Sequence, residues 1–486
     1  MTTKLKSIRN NIFSVSIAQI ISLLLNIVTF GIIARVLSIN DFGTFNYLLA
    51  IIGFVAKFID LGINPIVLRE TTKNGNFSEY LSSTLLVKSI LIILVLIIIN
   101  LYSLIFTNSF TENLLLNLFT INVFFSNKYT NIRELLITPY KVSLKMGYPM
   151  LLVLLDGVLL LVFSLFINPN QNALILFGLA YVISNIPSTI VLIIMLRKQE
   201  NLKFSFNSGI FKSLLKMSLP IYGYVVLMVI YSQIDTVLIG IFNDEKSVAL
   251  YSSAIRLSTP FMIFASAITL TFFPLIVNKI KNNENISKLV SSVFTIIFLF
   301  STIISIFVFF HSKDIIELVF GQKYILAVAP LKYLGISIVF LFINFFMVDL
   351  LTALNKQKMS FIYGVLINIF SIPLYFIFLT DYSYIGASII KLVAIFVGSL
   401  YLFYMLQKTI KLRINYFKIA IWLAINILFF YFLSNLSFHI VVIPELIFVT
   451  ISLLGLNILN YDELYTILST VNLEKYLAKI KFLVNR

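Results

Sequence analysis

Two charged residues stand inside apolar runs on either side of a short polar turn. The run SLPIYGYVVLMVIYSQIDTVLIGIF carries Asp235; after Asn243-Asp244-Glu245-Lys246, the run YSSAIRLSTPFMIFASAITLTFFPLIV carries Arg256. If residues 242–250 join two antiparallel helices, the charges lie at similar depth and can form an ion pair across the helix interface. A carboxylate in hydrocarbon costs roughly 2.5–3.5 kcal/mol on insertion scales, which argues against an unpaired place facing lipid. Asp235 and Arg256 therefore either staple two helices together or line a wet, charged cavity. Further ionisable residues in apolar runs are Arg35, Lys57, Asp60, Lys88, Asp156, Lys332, Asp349 and Lys391, so six of the ten are cationic. Lys57 and Asp60, three apart, share one helix face and are able to pair with each other.

The elements that must position these groups are membrane helices. A chain of 486 residues with 60% hydrophobic content and mean hydropathy +1.01 is no ordinary soluble protein. With no cysteine, and with His311 and His439 far apart in sequence, neither a thiolate site nor a metal enzyme is expected. A spanning helix needs about 20 mainly apolar residues. By that measure fourteen spans are expected, at 12–36, 45–67, 81–106, 112–136, 146–167, 173–196, 217–241, 251–277, 289–311, 326–351, 360–380, 384–406, 416–436 and 439–459. The fourth is the weakest, because Asn117, Asn122, Ser126, Asn127, Lys128 and Asn131 interrupt it.

Lysines and arginines between the spans orient the chain. With the N-terminus inside, 27 fall in inner segments, Lys128 and Arg133 at the end of the weak fourth span counted among them, and 3 (Lys246, Lys313, Lys323) in outer turns, which predicts both termini in the cytoplasm. The net charge of +16 is then retention signal and contact with an anionic inner leaflet, not a nucleic-acid patch. Gly209 to Met217 and the tail beyond Asn460 read as amphipathic helices at the interface, and the short outer turns leave no room for an external domain.

The segments LSINDFGTFNY (37–47) and FNDEKSVALYS (242–252) repeat a polar turn followed by a small-x-aromatic step, Gly43-Thr44-Phe45 and Ala249-Leu250-Tyr251, at a spacing of 206 residues. Six spans lie between them, so two six-helix bundles of the same orientation, related by a pseudo-two-fold along the membrane normal, are expected. The expected all-α division is a bundle at 1–200, an interfacial linker helix at 201–216, a bundle at 217–410, two additional transmembrane helices at 411–460 and an amphipathic cytoplasmic tail at 461–486.

Several short pieces occur together in order: Ala34-Arg35-Val36-Leu37-Ser38 with Asp41-Phe42-Gly43, Asp60-Leu61-Gly62 with Leu68-Arg69, and Leu219-Pro220 with Asp235. They continue with Leu250-Tyr251-Ser252, Arg256-Leu257, Phe320-Gly321-Gln322-Lys323-Tyr324, Ala329-Pro330-Leu331 and Ile385-Gly386-Ala387. In these the chain resembles the multidrug/oligosaccharidyl-lipid/polysaccharide exporter superfamily, and within it the Wzx-type polysaccharide flippases. The resemblance implies a V-shaped pair of bundles, with the first, second, seventh and eighth helices lining a cavity. It also implies a polyprenyl-pyrophosphate-linked oligosaccharide as cargo, turned from the inner to the outer leaflet.

For such a cargo, guanidinium and ammonium groups supply charge-assisted hydrogen bonds to phosphate. The expected substrate contacts are Arg35, Lys57, Arg256, Lys332 and Lys391, with Arg35, Arg256 and Lys332 forming a cationic ring in the outer half. Asp60 and Asp235 are the expected coupling or ion-pair sites for H+ or Na+; Lys88 and Asp349 read as anchors near the inner surface. Asn26, Tyr222, Gln233 and Asn344 are able to bond sugars, and Pro220, Pro260, Pro274 and Pro373 permit bends. No resident cofactor or metal is expected, and the chain is expected to act as a monomer in the cell membrane, beside glycosyltransferases and a polymerase. The rival expectations are a lipid II or multidrug exporter of the same fold and, from another class, a membrane polymerase or acyltransferase. The last would need an embedded His/Asp site or a large outer loop.

Overall fold

The computed structural model describes residues 2–106, 109–129, 131–199, 206–434, 436 and 438–456, and among these every element is helical. Helices are what hydrocarbon demands, because each satisfies its own backbone N–H and C=O groups. In chain order they are α1 (Thr2–Val36), α2 (Ile39–Asp60), α3 (Asn64–Asn74), α4 (Phe77–Phe106), α5 (Phe110–Phe125), α6 (Ile132–Leu136) and α7 (Thr138–Val142). There follow α8 (Gly147–Leu165), α9 (Ala173–Ile183), α10 (Ile186–Gln199), α11 (Ser208–Phe242), α12 (Glu245–Ser258) and α13 (Met262–Lys281). The chain continues with α14 (Ser287–Phe310), α15 (Ser312–Val319), α16 (Val328–Ala353), α17 (Gln357–Thr409), α18 (Tyr416–Leu433) and α19 (Phe438–Gly455).

Among the described residues eleven helices are long and apolar enough to span, against the fourteen expected, with a shorter apolar stretch at Ile440–Leu453 where the last was expected. The difference has local causes. α17 covers both 360–380 and 384–406 and bends at Ser383, whose φ of 45° is not helical. The weak fourth span shrinks to the 16 residues of α5, because the polar run from Ser126 to Asn131 ends the helix. Gly209 to Met217 is continuous with α11, and the expected tail at 461–486 lies outside the described residues.

Two compact units emerge, one of residues 1–256, 319–324 and 368–387, the other of 257–318, 325–367 and 388–486. In the first, α1 packs along α8, α2 along α5 and α11, and α5 along α4 and α9. The repeated turn motif reappears here as matched helix starts. Ser38 Oγ accepts the Asp41 N–H (3.0 Å), and Asp244 Oδ1 accepts the Ser247 N–H (2.8 Å), each cap lying 206 residues from its counterpart. Gly43 sits against the backbone carbonyl of Glu245, an approach that leaves no space for a Cβ. In the second unit, α16 lies along α13 and α14. Trp422 is fully buried with Leu299, Ile306, Ile419, Phe430 and Val449, and its Nε1 donates to Ser452 Oγ (3.0 Å), which ties α18 to α19. His311 Nε2 meets Glu445 (2.9 Å), tying α19 to the end of α14, as polar side chains do between membrane helices.

Candidate functional site

Arg256 lies eleven residues beyond the start of α12, about 16 Å along the helix, and thus roughly half a hydrocarbon thickness from the turn. Its Nε donates to Asn46 Oδ1 (3.0 Å) and its Nη2 to the same oxygen. The guanidinium also covers the Phe30 ring, 3.5 Å from its centroid. Asn46 is held in turn, its Nδ2 donating to the Phe42 carbonyl (2.6 Å). Three helices, α1, α2 and α12, therefore fix one charge. The cap that starts α12 is itself electrostatically favoured, since Ser247 bonded to Asp244 holds that carboxyl below its ordinary range.

The expected pairing of Asp235 with Arg256 does not form. Asp235 is fully buried and accepts the Tyr251 hydroxyl at Oδ2 (2.6 Å) and the Thr236 N–H at Oδ1 (2.7 Å). Equal distance from a turn sets depth along a helix but not the face, and α12 presents Tyr251, not Arg256, to Asp235.

A second cation shares the site. Lys128 Nζ lies 4.5 Å from the Tyr181 ring centroid and 5.8 Å from that of Phe30. The wall beneath is a cluster of rings: Phe30 packs on Phe45 and Phe177, and Phe45 on Phe119 and Tyr181. Lys128, in the weak fourth span and counted with the inner-segment charges, is instead turned onto this wall. The available signal was the polar run that weakened the fourth span, read there as poor helix and not as a site.

Neutralisation inside the first unit is selective. Lys88 Nζ donates to Asp60 Oδ1 (2.7 Å) and Asn64 Oδ1 (2.8 Å), with no exposed surface. Lys88 is therefore no surface anchor, and it, not Lys57, takes the Asp60 carboxylate. Lys57 Nζ donates to the Tyr129 carbonyl (3.3 Å). Arg133 is also fully buried and pairs with Asp156, which Ser188 bonds as well, so Arg133 is no inner-loop charge either. Moving Lys128 and Arg133 off the inner count leaves 25 against 3, and the predicted orientation is unchanged. Among the described residues neither Arg256 nor Lys128 pairs with a carboxylate. Two positive charges lie against an aromatic wall in a unit where Asp60 and Asp156 pair with other cations, an arrangement whose charge suits an anion.

Of the other expected contacts, Arg35 is exposed at the end of α1 in the first unit, beside Gly321. Lys332 and Lys391 belong to the second unit, the former 5.4 Å from the Phe309 ring centroid and the latter buried; Asp349 is half-buried on α16. Of the polar neighbours, Asn26 bonds the Ser22 carbonyl, Tyr222 the Lys57 carbonyl, and Asn344 the Tyr363 hydroxyl and the Ile395 carbonyl, which ties α16 to α17. No group of three or more His, Cys, Asp or Glu side chains able to hold a metal occurs among the described residues.

A family model described as "Polysaccharide biosynthesis protein" matches residues 8–279, and the MatE family model matches 220–377. The probable low-salt glycan biosynthesis flippase Agl15 of Haloferax volcanii is 24% identical over 403 residues, covering 81% of this chain and 82% of that one. The capsular polysaccharide biosynthesis protein CapF of Staphylococcus aureus is 25% identical over 405 residues, covering 80% and 97%. Among solved structures, the lipid II flippase MurJ in its inward closed conformation superposes with a TM-score of 0.75 at 16% identity, over 91% of this chain and 97% of that one. That likeness is one of fold.

Proposed function

We infer the function from family and site together: the chain belongs to the polysaccharide biosynthesis protein family, and it serves as a multi-pass membrane flippase of lipid-linked glycans in the multidrug/oligosaccharidyl-lipid/polysaccharide exporter superfamily. It is a transporter, not an enzyme. Its cargo is a polyprenyl-diphosphate-linked oligosaccharide, carried from the inner to the outer leaflet of the cell membrane by alternating access of two six-helix bundles. Both termini lie in the cytoplasm, and the protein works as a monomer beside glycosyltransferases and a polymerase.

One observation carries this reading: Arg256 and Lys128 both lie against the Phe30 ring and, among the described residues, neither pairs with a carboxylate. A diphosphate crossing hydrocarbon needs such donors, and a guanidinium held by Asn46 is oriented before the anion arrives. Lys57, Arg35, Lys332 and Lys391 supply further phosphate contacts along the route. Asp235, enclosed by Tyr251 and Thr236, is the acid assigned to a coupling H+ or Na+.

Arg256→Ala tests the reading. Surface glycan export and translocation of a polyprenyl-diphosphate oligosaccharide in proteoliposomes should be lost, while the variant accumulates in the membrane at the normal level. Undiminished translocation removes Arg256 from the site. Wild-type translocation of lipid II in preference to other diphosphate-linked glycans would move the cargo to the rival that the MurJ-like fold favours.

A further inference from the structure

Two helix interruptions meet in the first unit. α2 stops at Asp60, and Leu61 (φ 54°) and Gly62 (φ 63°), both left-handed, turn the chain before α3 begins at Asn64. Glycine suits the second position twice over, because its φ is positive and Tyr222 packs directly against it. α5 stops at Phe125, and α-helix resumes only at Ile132. Side-chain amides stitch the two openings together: Asn64 Nδ2 donates to the Asn131 carbonyl (2.9 Å), and Asn131 Nδ2 donates to the Ala56 carbonyl (3.0 Å). Irregular backbone at membrane depth needs such internal partners.

Into this junction α4 inserts one ammonium group. Lys88 Nζ meets a carboxylate oxygen of Asp60 and an amide oxygen of Asn64, and all three side chains are at least nine-tenths buried. A carboxylate and an amide oxygen converging on one positive charge beside broken helices are the donor set that interrupted membrane helices offer to a monovalent metal ion. Here the charge arrives on a four-carbon stem and cannot leave. We propose that Lys88 is a built-in counter-cation, its ammonium permanently occupying a monovalent-cation site formed by Asp60 and Asn64. The site is thereby withdrawn from ion exchange, and Asp60 is not the coupling residue. This assignment does not depend on the identity of the cargo.

The experiment is thermal unfolding of the purified full chain in sodium, potassium or choline chloride at constant ionic strength, for wild type, Lys88→Ala, Asp60→Asn and the double variant. Lys88→Ala should unfold at lower temperature than wild type in choline. It should then gain a saturable stabilisation from sodium or potassium, about a tenfold shift in the unfolding constant at ten times the dissociation constant. The double variant should lose that gain, and Asp60→Asn alone should leave the wild-type salt response unchanged. The proposal is overturned if Lys88→Ala gains nothing from small cations, or if Asp60→Asn abolishes a sodium response while Lys88 is present. Should Lys88→Ala fail to accumulate, Lys88→Gln, which keeps an amide donor at the junction, replaces it with the same two outcomes.

Discussion

Replacing Arg133 by methionine keeps an unbranched side chain of similar length in the first unit but removes the charge facing Asp156. Arg133 has no exposed surface, the Asp156 side chain is 12% exposed, and after the change the carboxylate keeps only the Ser188 hydroxyl among its observed donors. Breaking a buried pair from one side leaves an uncompensated charge and costs about 3–5 kcal/mol, roughly a hundredfold to several thousandfold in the unfolding constant. Asp156→Leu should cost a similar amount, because it strands a guanidinium whose Nε and Nη2 have no hydrogen-bond partner among the described residues. The double variant Arg133→Met/Asp156→Leu removes both charges and should come within about 1 kcal/mol of wild type, or exceed it. Unfolding by SDS titration in mixed micelles measures all four proteins, and the coupling in that cycle isolates the pair. A loss below about 1 kcal/mol for Arg133→Met, or a double variant no better than either single one, would refute the burial of this pair and return Arg133 to the cytoplasmic surface.

Two further outcomes follow from single contacts. Asn46→Leu removes the oxygen that accepts both Arg256 donors, and a hydrogen bond to a charged group contributes about 1.5–3 kcal/mol. Binding of a polyprenyl diphosphate in detergent should weaken about tenfold or more, and unchanged affinity would show that Asn46 does not position Arg256. Asp244→Ala should cost about 1 kcal/mol through loss of the α12 cap, as read by unfolding of the full chain. Because the folded carboxyl lies below its ordinary value, that contribution is full above about pH 5 and fades as pH falls through and below about 4; a cap effect growing toward acid would contradict it.

The helical class and most of the spans were legible because apolar length and loop charge report directly on the bilayer. The matched caps Ser38/Asp41 and Asp244/Ser247 were present as a weak repeat, since capping depends on neighbours three residues away. Arg256 was legible as an intramembrane cation, but its partners were not. Asn46 lies 210 residues earlier and reads as one more polar residue on an apolar helix. Lys128 and Arg133 were misplaced for the opposite reason. Lysine and arginine near the inner end of a span ordinarily belong to the loop charge, whereas here α5 ends early and these residues turn inward onto Tyr181 and Asp156. Lys88 was misjudged on the same logic, because nearness to an expected helix end says nothing of a carboxylate reaching across from α2.

The first compact unit is assembled from three stretches of chain, the last of them ending at residue 387. A ribosome has therefore translated about four-fifths of the message before that unit owns all its parts. Nascent chains halted after residue 256 or 318 lack pieces which later synthesis must deliver. Surveillance proteases and insertion chaperones would meet this intermediate on every round of biogenesis. A split protein divided at the middle loop would need both fragments made together before even its N-terminal portion could mature.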